Sequence, residues 1–226
     1  MTRLPCRTLY ARRSLGVLAA AVTFACAGRM NGRETLLHPE RFAVDAKAPG
    51  RFDVKLETSQ GPVVLAVRRE WAPAGADRFY YLVRSGFFDG EKFFRVREKF
   101  IAQFGLNGDP AVIAAWKHRT IPDDPVRVSN VRGTVAYAMT GPDSRTTQVY
   151  INLADNRRLD PQGFAPFAQV TSGMDAVDRL YSGYGEDAGG GVRGGKQGLI
   201  EAGGNAWLAR AFPKLDYIIR AYVIGW

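Results

Sequence analysis

The chain has 226 residues, enough for one large or two small domains, and its 46% hydrophobic and 12% aromatic content supplies a packed core and excludes a disordered chain. Its formal charge of +9 suggests nucleic acid, but four arginines and no acids lie in residues 1–27. The excess of five that remains is scattered among 22 acidic residues, which argues against a nucleic-acid footprint. Two cysteines, Cys6 and Cys26, and two distant histidines, His38 and His118, leave no ligand set for a metal and no supporting context for a Ser-His-Asp hydrolase.

Arg3, Arg7, Arg12 and Arg13 precede the apolar run Leu15–Ala25, which is too short to span a bilayer and reads as a signal peptide over residues 1–27. Two cleavage modes compete. Ala25-Cys26-Ala27 offers a cut after Ala27, whereas Val22-Thr23-Phe24-Ala25-Cys26 is a degenerate lipoprotein box in which Cys26 becomes the acylated first residue. Both imply export, to the periplasm or to an anchored position on the extracytoplasmic side of a membrane. The domain beyond has no thiol, which suits an oxidising compartment. Residues 28–50 are polar and mixed and read as a tether before a domain over 51–226.

Phe52, Val54 and Leu56 alternate with Asp53, Lys55 and Glu57, the pattern of a half-buried strand. Ser59–Pro62 is a turn and Val63–Val67 the returning strand. Pro73 opens a helix whose apolar face is Phe79, Leu82 and Val83, ending at Gly86. Phe93–Phe104 reads as a strand broken around Arg97-Glu98. Residues 106–125 form a proline-rich loop with a helical turn near Ala114–Lys117. Thr134–Ala138, Gln148–Asn152 and Phe167–Val170 are short strands, and Met174–Tyr181 is a second helix. Residues 183–213 hold a glycine-rich loop and a short helix from its cap Asn205 to Pro213. Leu215–Ile224 is a closing strand. Gly190–Lys196 imitates a phosphate-binding loop, but Gln197 stands where that motif needs a hydroxyl, and no strand precedes it.

Three ordered motifs stand out: Phe93-Phe94-Arg95-Val96 running to Phe100-Ile101-Ala102-Gln103; Gly133 through Ala138-Met139-Thr140-Gly141-Pro142 to Gln148-Val149-Tyr150; and Leu159-Asp160 followed by Phe164-Ala165-Pro166-Phe167. Together they resemble the cyclophilin family of peptidyl-prolyl cis–trans isomerases over about residues 52–181, whose core reads roughly F-H-R-V-x-x-x-F-M-x-Q, then M-A-N-x-G-P with S-Q-F-F, then L-D and an aromatic-rich segment. The resemblance implies a mainly β fold. It would be a closed eight-stranded antiparallel barrel capped by two α-helices, here with a C-terminal helix-containing insertion.

The resemblance also implies roles. Arg95 would be the cation facing the prolyl nitrogen, and Gln103 would donate to the substrate carbonyl. Phe100, Ile101, Tyr150 and Leu159 would grip the proline ring and Phe164 would cap the pocket, with Ala138 and Met139 along the substrate backbone and Gln148 matching the glutamine of the family's S-Q-F-F motif. By residue type alone, Arg95 would be an ordinary surface arginine, Gln103 a satisfied strand glutamine, and the apolar set plain core. Several positions depart from the pattern: Phe94 for His, Arg97-Glu98 for a Pro-Gly turn, Met139 for Asn, and Val149-Tyr150 for Phe-Phe. Arg158 stands before Leu159 where cyclosporin-sensitive cyclophilins carry Trp. The expectation is a monomeric isomerase acting on proline-containing polypeptides during folding of exported proteins, with no cofactor, no metal and no nucleic acid. Membrane contact would come only through an N-terminal lipid. The competing expectation is a catalytically weak proline-segment binding or chaperone module using the same groove.

Overall fold

A computed structural model describes residues 32–42, 44, 46–189 and 197–225; the signal peptide expected over 1–27, residues 28–31 and the glycine-rich stretch 190–196 lie outside them. β1 (Arg51–Thr58) and β2 (Gly61–Arg68) form the hairpin that the alternation at Phe52, Val54 and Leu56 demands, and those three side chains are fully buried. β3 (Arg95–Arg97) and β4 (Ile101–Phe104) follow helix α2 (Pro73–Ser85). Gly86 closes α2 in the left-handed conformation, where glycine avoids a Cβ clash. β5 (Thr134–Tyr137), β6 (Val149–Asn152), β7 (Pro166–Ser172) and β8 (Ile218–Gly225) complete an antiparallel sheet in the order β3-β4-β6-β5-β7-β2-β1-β8.

The sheet curls into a half-barrel rather than the closed barrel expected. β3 and β8 are its two ends and do not form a ladder with each other. Instead their lead-in segments meet, through an antiparallel bridge between Lys92 and Tyr217 and the bonds Phe93 N to Asp216 O (2.9 Å) and Ile218 N to Glu91 O (2.8 Å). The reason is length. β3 has three residues before it turns at Lys99, which adopts a positive φ, while β8 spends its bonds on β1.

The main core fills the concave side with Phe52, Phe79, Phe88, Phe104, Val149 and Phe167, under α2 and the short α4 (Met174–Asp178). Residues 32–50 are not a free tether. α1 (Gly32–Leu37) docks on α3 (Pro110–Trp116) and α2, burying Thr35 and Leu36, and the Trp116 indole donates to Leu36 O at 2.9 Å. α3 begins four residues before the helical turn expected from Ala114, because Asp109 caps it and Pro110 suits its first turn.

The C-terminal insertion is more helical than its glycines suggest. α5 (Gln197–Ala211) starts eight residues before Asn205 and kinks at Gly204 (φ +52°), and the Asn205 amide donates to Gly90 O at 2.8 Å instead of capping. A second apolar cluster holds it down: Phe94, Leu106, Ile113, Ala188, Ile200, Leu208 and Leu215. Phe94, which departs from the resembled pattern, is thus the insertion's docking residue, pointing away from its neighbour Arg95.

Candidate active site

Alternation along three short strands builds a groove on the convex face. On β4, Ala102 and Phe104 enter the main core, so Ile101 and Gln103 face the other way; on β6, Val149 and Ile151 enter the core and Tyr150 faces out. Register then aligns these outward residues. Arg95 pairs with Gln103, Gln103 with Tyr150 and Tyr150 with Ala136, one row across four strands. The resulting groove, about 430 Å³, is lined by all ten residues named from the sequence: Arg95, Phe100, Ile101, Gln103, Ala138, Met139, Gln148, Tyr150, Leu159 and Phe164. Five further residues complete it: Thr140, Ser144, Thr146, Gln197 and Gly198.

Its apolar half is a compact cluster. Ile101, Tyr150 and Leu159 are nearly fully buried, and Phe164 stacks edge-on against Tyr150 with centroids 6.0 Å apart. The Tyr150 hydroxyl does not enter the groove; it donates to Asn130 Oδ1 at 3.0 Å. The buried Asn130 amide donates in turn to Asp160 Oδ1 (2.9 Å) and Phe164 O (2.7 Å), tying the loop that carries Leu159 and Phe164 to the sheet. Burial pushes the Tyr150 phenol far up, with the Asp160 charge adding, so it stays a donor at all physiological pH.

The polar half is a directed hydrogen-bond chain. Arg95 Nη1 donates to Gln103 Oε1 (3.1 Å), Gln103 Nε2 to Gln148 Oε1 (2.9 Å), and Gln148 Nε2 to Gln197 Oε1 (3.2 Å). A guanidinium only donates, so Gln103 must turn its oxygen toward Arg95 and its amide nitrogen toward Gln148. Gly105 lies behind this chain at φ +106°. A Cβ there would sit 2.6 Å from Gln148 Cα, so any other residue would displace Gln148. Arg95 also pairs with Glu186, which sequence reasoning missed. Burial raises the Glu186 carboxyl, but hydrogen bonds and charge from Arg95 and Arg97 outweigh it and hold the carboxyl below its ordinary value.

Three guanidinium groups surround the Phe100 ring: Arg95 and Arg97 with Cζ at 5.5 Å, and Arg158 at 4.7 Å from the centroid. Behind the lining, the buried Arg145 bridges Asp123 and Asp124 and so ties the segment that carries Ser144, Thr146 and Gln148 to these two acids. Of the residues missed, Ser144 and Thr146 had a signal: they continue the two-residue spacing of Gln148. Glu186 and Gln197 had none, because long-range docking of the insertion brings them in.

The chemistry available is that of an apolar socket beside a fixed cation and an amide chain. The sequence profile of a family described as cyclophilin type peptidyl-prolyl cis-trans isomerase/CLD matches residues 53–192. A peptidyl-prolyl cis-trans isomerase of Acinetobacter baylyi is 33% identical over 145 residues, 61% of this chain and 76% of that protein. Peptidyl-prolyl cis-trans isomerase B of Escherichia coli is 29% identical over 181 residues, 76% of this chain and 99% of that protein. Among solved structures, a cyclophilin type isomerase of Cryptosporidium parvum crystallised in the presence of the dipeptide Ala-Pro superposes with a TM-score of 0.55. It has 16% identity over 76% of this chain and 98% of that one, so it speaks to the fold alone.

Proposed function

The chain belongs to the cyclophilin-type peptidyl-prolyl cis–trans isomerase family, and from that premise we propose that its convex-face groove binds proline-containing polypeptides and rotates their X–Pro bonds, with Arg95 as the catalytic cation. The observation that carries this reading is the position of Arg95. Its guanidinium borders an apolar socket, and its bonds to Glu186 and Gln103 leave one N–H on each terminal nitrogen without a partner among the described residues.

A prolyl amide resists rotation by about 18–20 kcal/mol because resonance stiffens its C–N bond. Twisting removes that conjugation and localises a lone pair on the prolyl nitrogen. A donor aimed at that nitrogen therefore interacts more strongly with the twisted amide than with either planar isomer, which is what lowers a barrier. A million-fold acceleration needs roughly 8 kcal/mol. One charge-assisted donor supplies about 2–4 kcal/mol of that by analogy with oxyanion-hole groups. The socket supplies the rest by holding the ring of proline while the preceding carbonyl swings. Gln103, whose second amide hydrogen has no partner among the described residues, is assigned to the substrate carbonyl, and Ala138 and Met139 to its backbone.

The test is isomerisation of an X–Pro peptide by the mature protein and by Arg95→Ala. The variant should lose about a hundredfold or more in kcat/KM, with Gln103→Ala losing less, while both keep the wild-type melting temperature. Peptide binding without turnover in the wild type would instead support the binding-module reading. We further propose that the protein works after export, on the strength of the arginine-then-apolar start and the thiol-free domain.

A further inference from the structure

We propose that Glu186 is a positioning residue for Arg95, so that the loop after α4 sets the orientation of the groove's cation; this rests on the reading of Arg95 as the catalytic group. Glu186 Oε1 accepts from Arg95 Nε at 3.1 Å and also from Nη2, while Nη1 donates to Gln103. Two partners on different elements thus fix the guanidinium plane, one along its Nε edge and one at its tip. An arginine held this way meets the substrate already aimed, whereas a free one must surrender side-chain freedom as the amide twists. Preorganisation of this kind is felt in turnover more than in binding.

Glu186 approaches from outside the socket. It is not among the residues lining the groove, so it braces Arg95 without occupying the place of the proline. The loop that presents it is itself anchored. Tyr184 packs edge-on against Tyr181 and against Phe212, both with centroids 5.0 Å apart. Ala188 is fully buried in the cluster of Phe94 and Ile200. The loop's own turn is closed by Asp187 N donating to Tyr184 O at 2.8 Å and Gly189 N to Glu186 O at 3.2 Å. Arg97, half exposed, makes a longer contact to the same carboxylate oxygen, with Nη1 donating at 3.5 Å. The insertion therefore has a task at the active site: docked through Phe94, it carries the brace for the arginine next in sequence.

The experiment compares wild type, Glu186→Gln and Glu186→Ala, following cis–trans exchange of an X–Pro peptide by NMR at limiting and saturating concentrations, together with the Arg95 Nε–H resonance. Glutamine keeps an acceptor oxygen and alanine does not. Glu186→Ala should lower kcat by about tenfold, equivalent to ~1.4 kcal/mol, with KM within about twofold. Glu186→Gln should stay within about threefold of wild type. The Nε–H signal should be protected from exchange in wild type and Glu186→Gln and lost in Glu186→Ala, with melting temperatures unchanged. Unchanged or increased turnover in Glu186→Ala would overturn the inference, as would a protected Nε–H in that variant. A wild type that does not isomerise proline would refute the role given to Arg95, and the Nε–H comparison would still decide whether Glu186 holds it.

Discussion

Tyr150 shows how one residue departs from a family pattern without disturbing the chemistry. Its ring stays in the socket while its hydroxyl turns to Asn130, so the groove keeps an apolar floor despite the added polar atom. Arg158 is a different case. It lies over Phe100 at 4.7 Å with its side chain toward solvent, where cyclosporin-sensitive cyclophilins carry Trp. An indole offers a flat apolar wall and one N–H; a guanidinium offers donors but resists desolvation against an apolar macrocycle. The loss of one aromatic contact and one well-placed bond should weaken cyclosporin binding by roughly a hundredfold, a few kcal/mol. Isothermal titration of the wild type should therefore show weak binding, with Arg158→Trp recovering part of the affinity. Tight binding by the wild type would mean that this position matters less than argued.

At the scale of elements, the groove needs β3, β4 and β6 only as short, correctly registered pieces. With β6 held in place, a shift of one residue in the β4–β6 pairing would send Gln103 into the core and Ala102 into the groove. The lead-in to β3 carries a liability of its own. Glu91 is fully buried, and neither carboxyl oxygen has a hydrogen-bond partner of good geometry among the described residues. Burial pushes this carboxyl well above its ordinary value, with the Gly105 amide opposing and Asp89 adding. Folded Glu91 then keeps its proton at pH values where the unfolded chain has released it, so the unfolding free energy falls as pH rises between the two. Glu91→Gln preserves the shape and removes the titration. Its stability advantage over wild type should grow with pH above about 4.5, by at most ~1.4 kcal/mol per unit, until folded Glu91 itself ionises. Urea denaturation of both proteins at several pH values measures this, and a pH-independent difference would refute it.

For the whole molecule, the docking of α1 changes the meaning of an anchor. If Cys26 is acylated, only residues 27–31 separate the lipid from a helix packed on Trp116, and the domain would sit close to the membrane surface. Intact-mass measurement of the native protein should find a start at Cys26, carrying lipid, or at Gly28. An unprocessed Met1 in a cytosolic fraction would rule export out.

What the sequence by itself determined is local and periodic. The β1–β2 hairpin followed from strict alternation and α2 from Pro73 and Gly86, while the ten groove residues followed from ordered motifs through the family they resemble, since residue type and spacing alone left them as core or surface. Tertiary structure decided what depends on contacts distant in sequence. Residues 28–50 look polar enough for a tether, yet buried Thr35, Leu36 and Ala48, the Leu36 carbonyl facing Trp116, and bonds such as Ala48 N to Asp77 dock the described part of them. The closing seam is an irregular contact between Glu91–Phe93 and Asp216–Ile218 because β3 is too short to form a ladder with β8. Glu186 reaches Arg95 across 91 positions, a contact that no spacing rule encodes, since it exists only once the insertion has packed against Phe94.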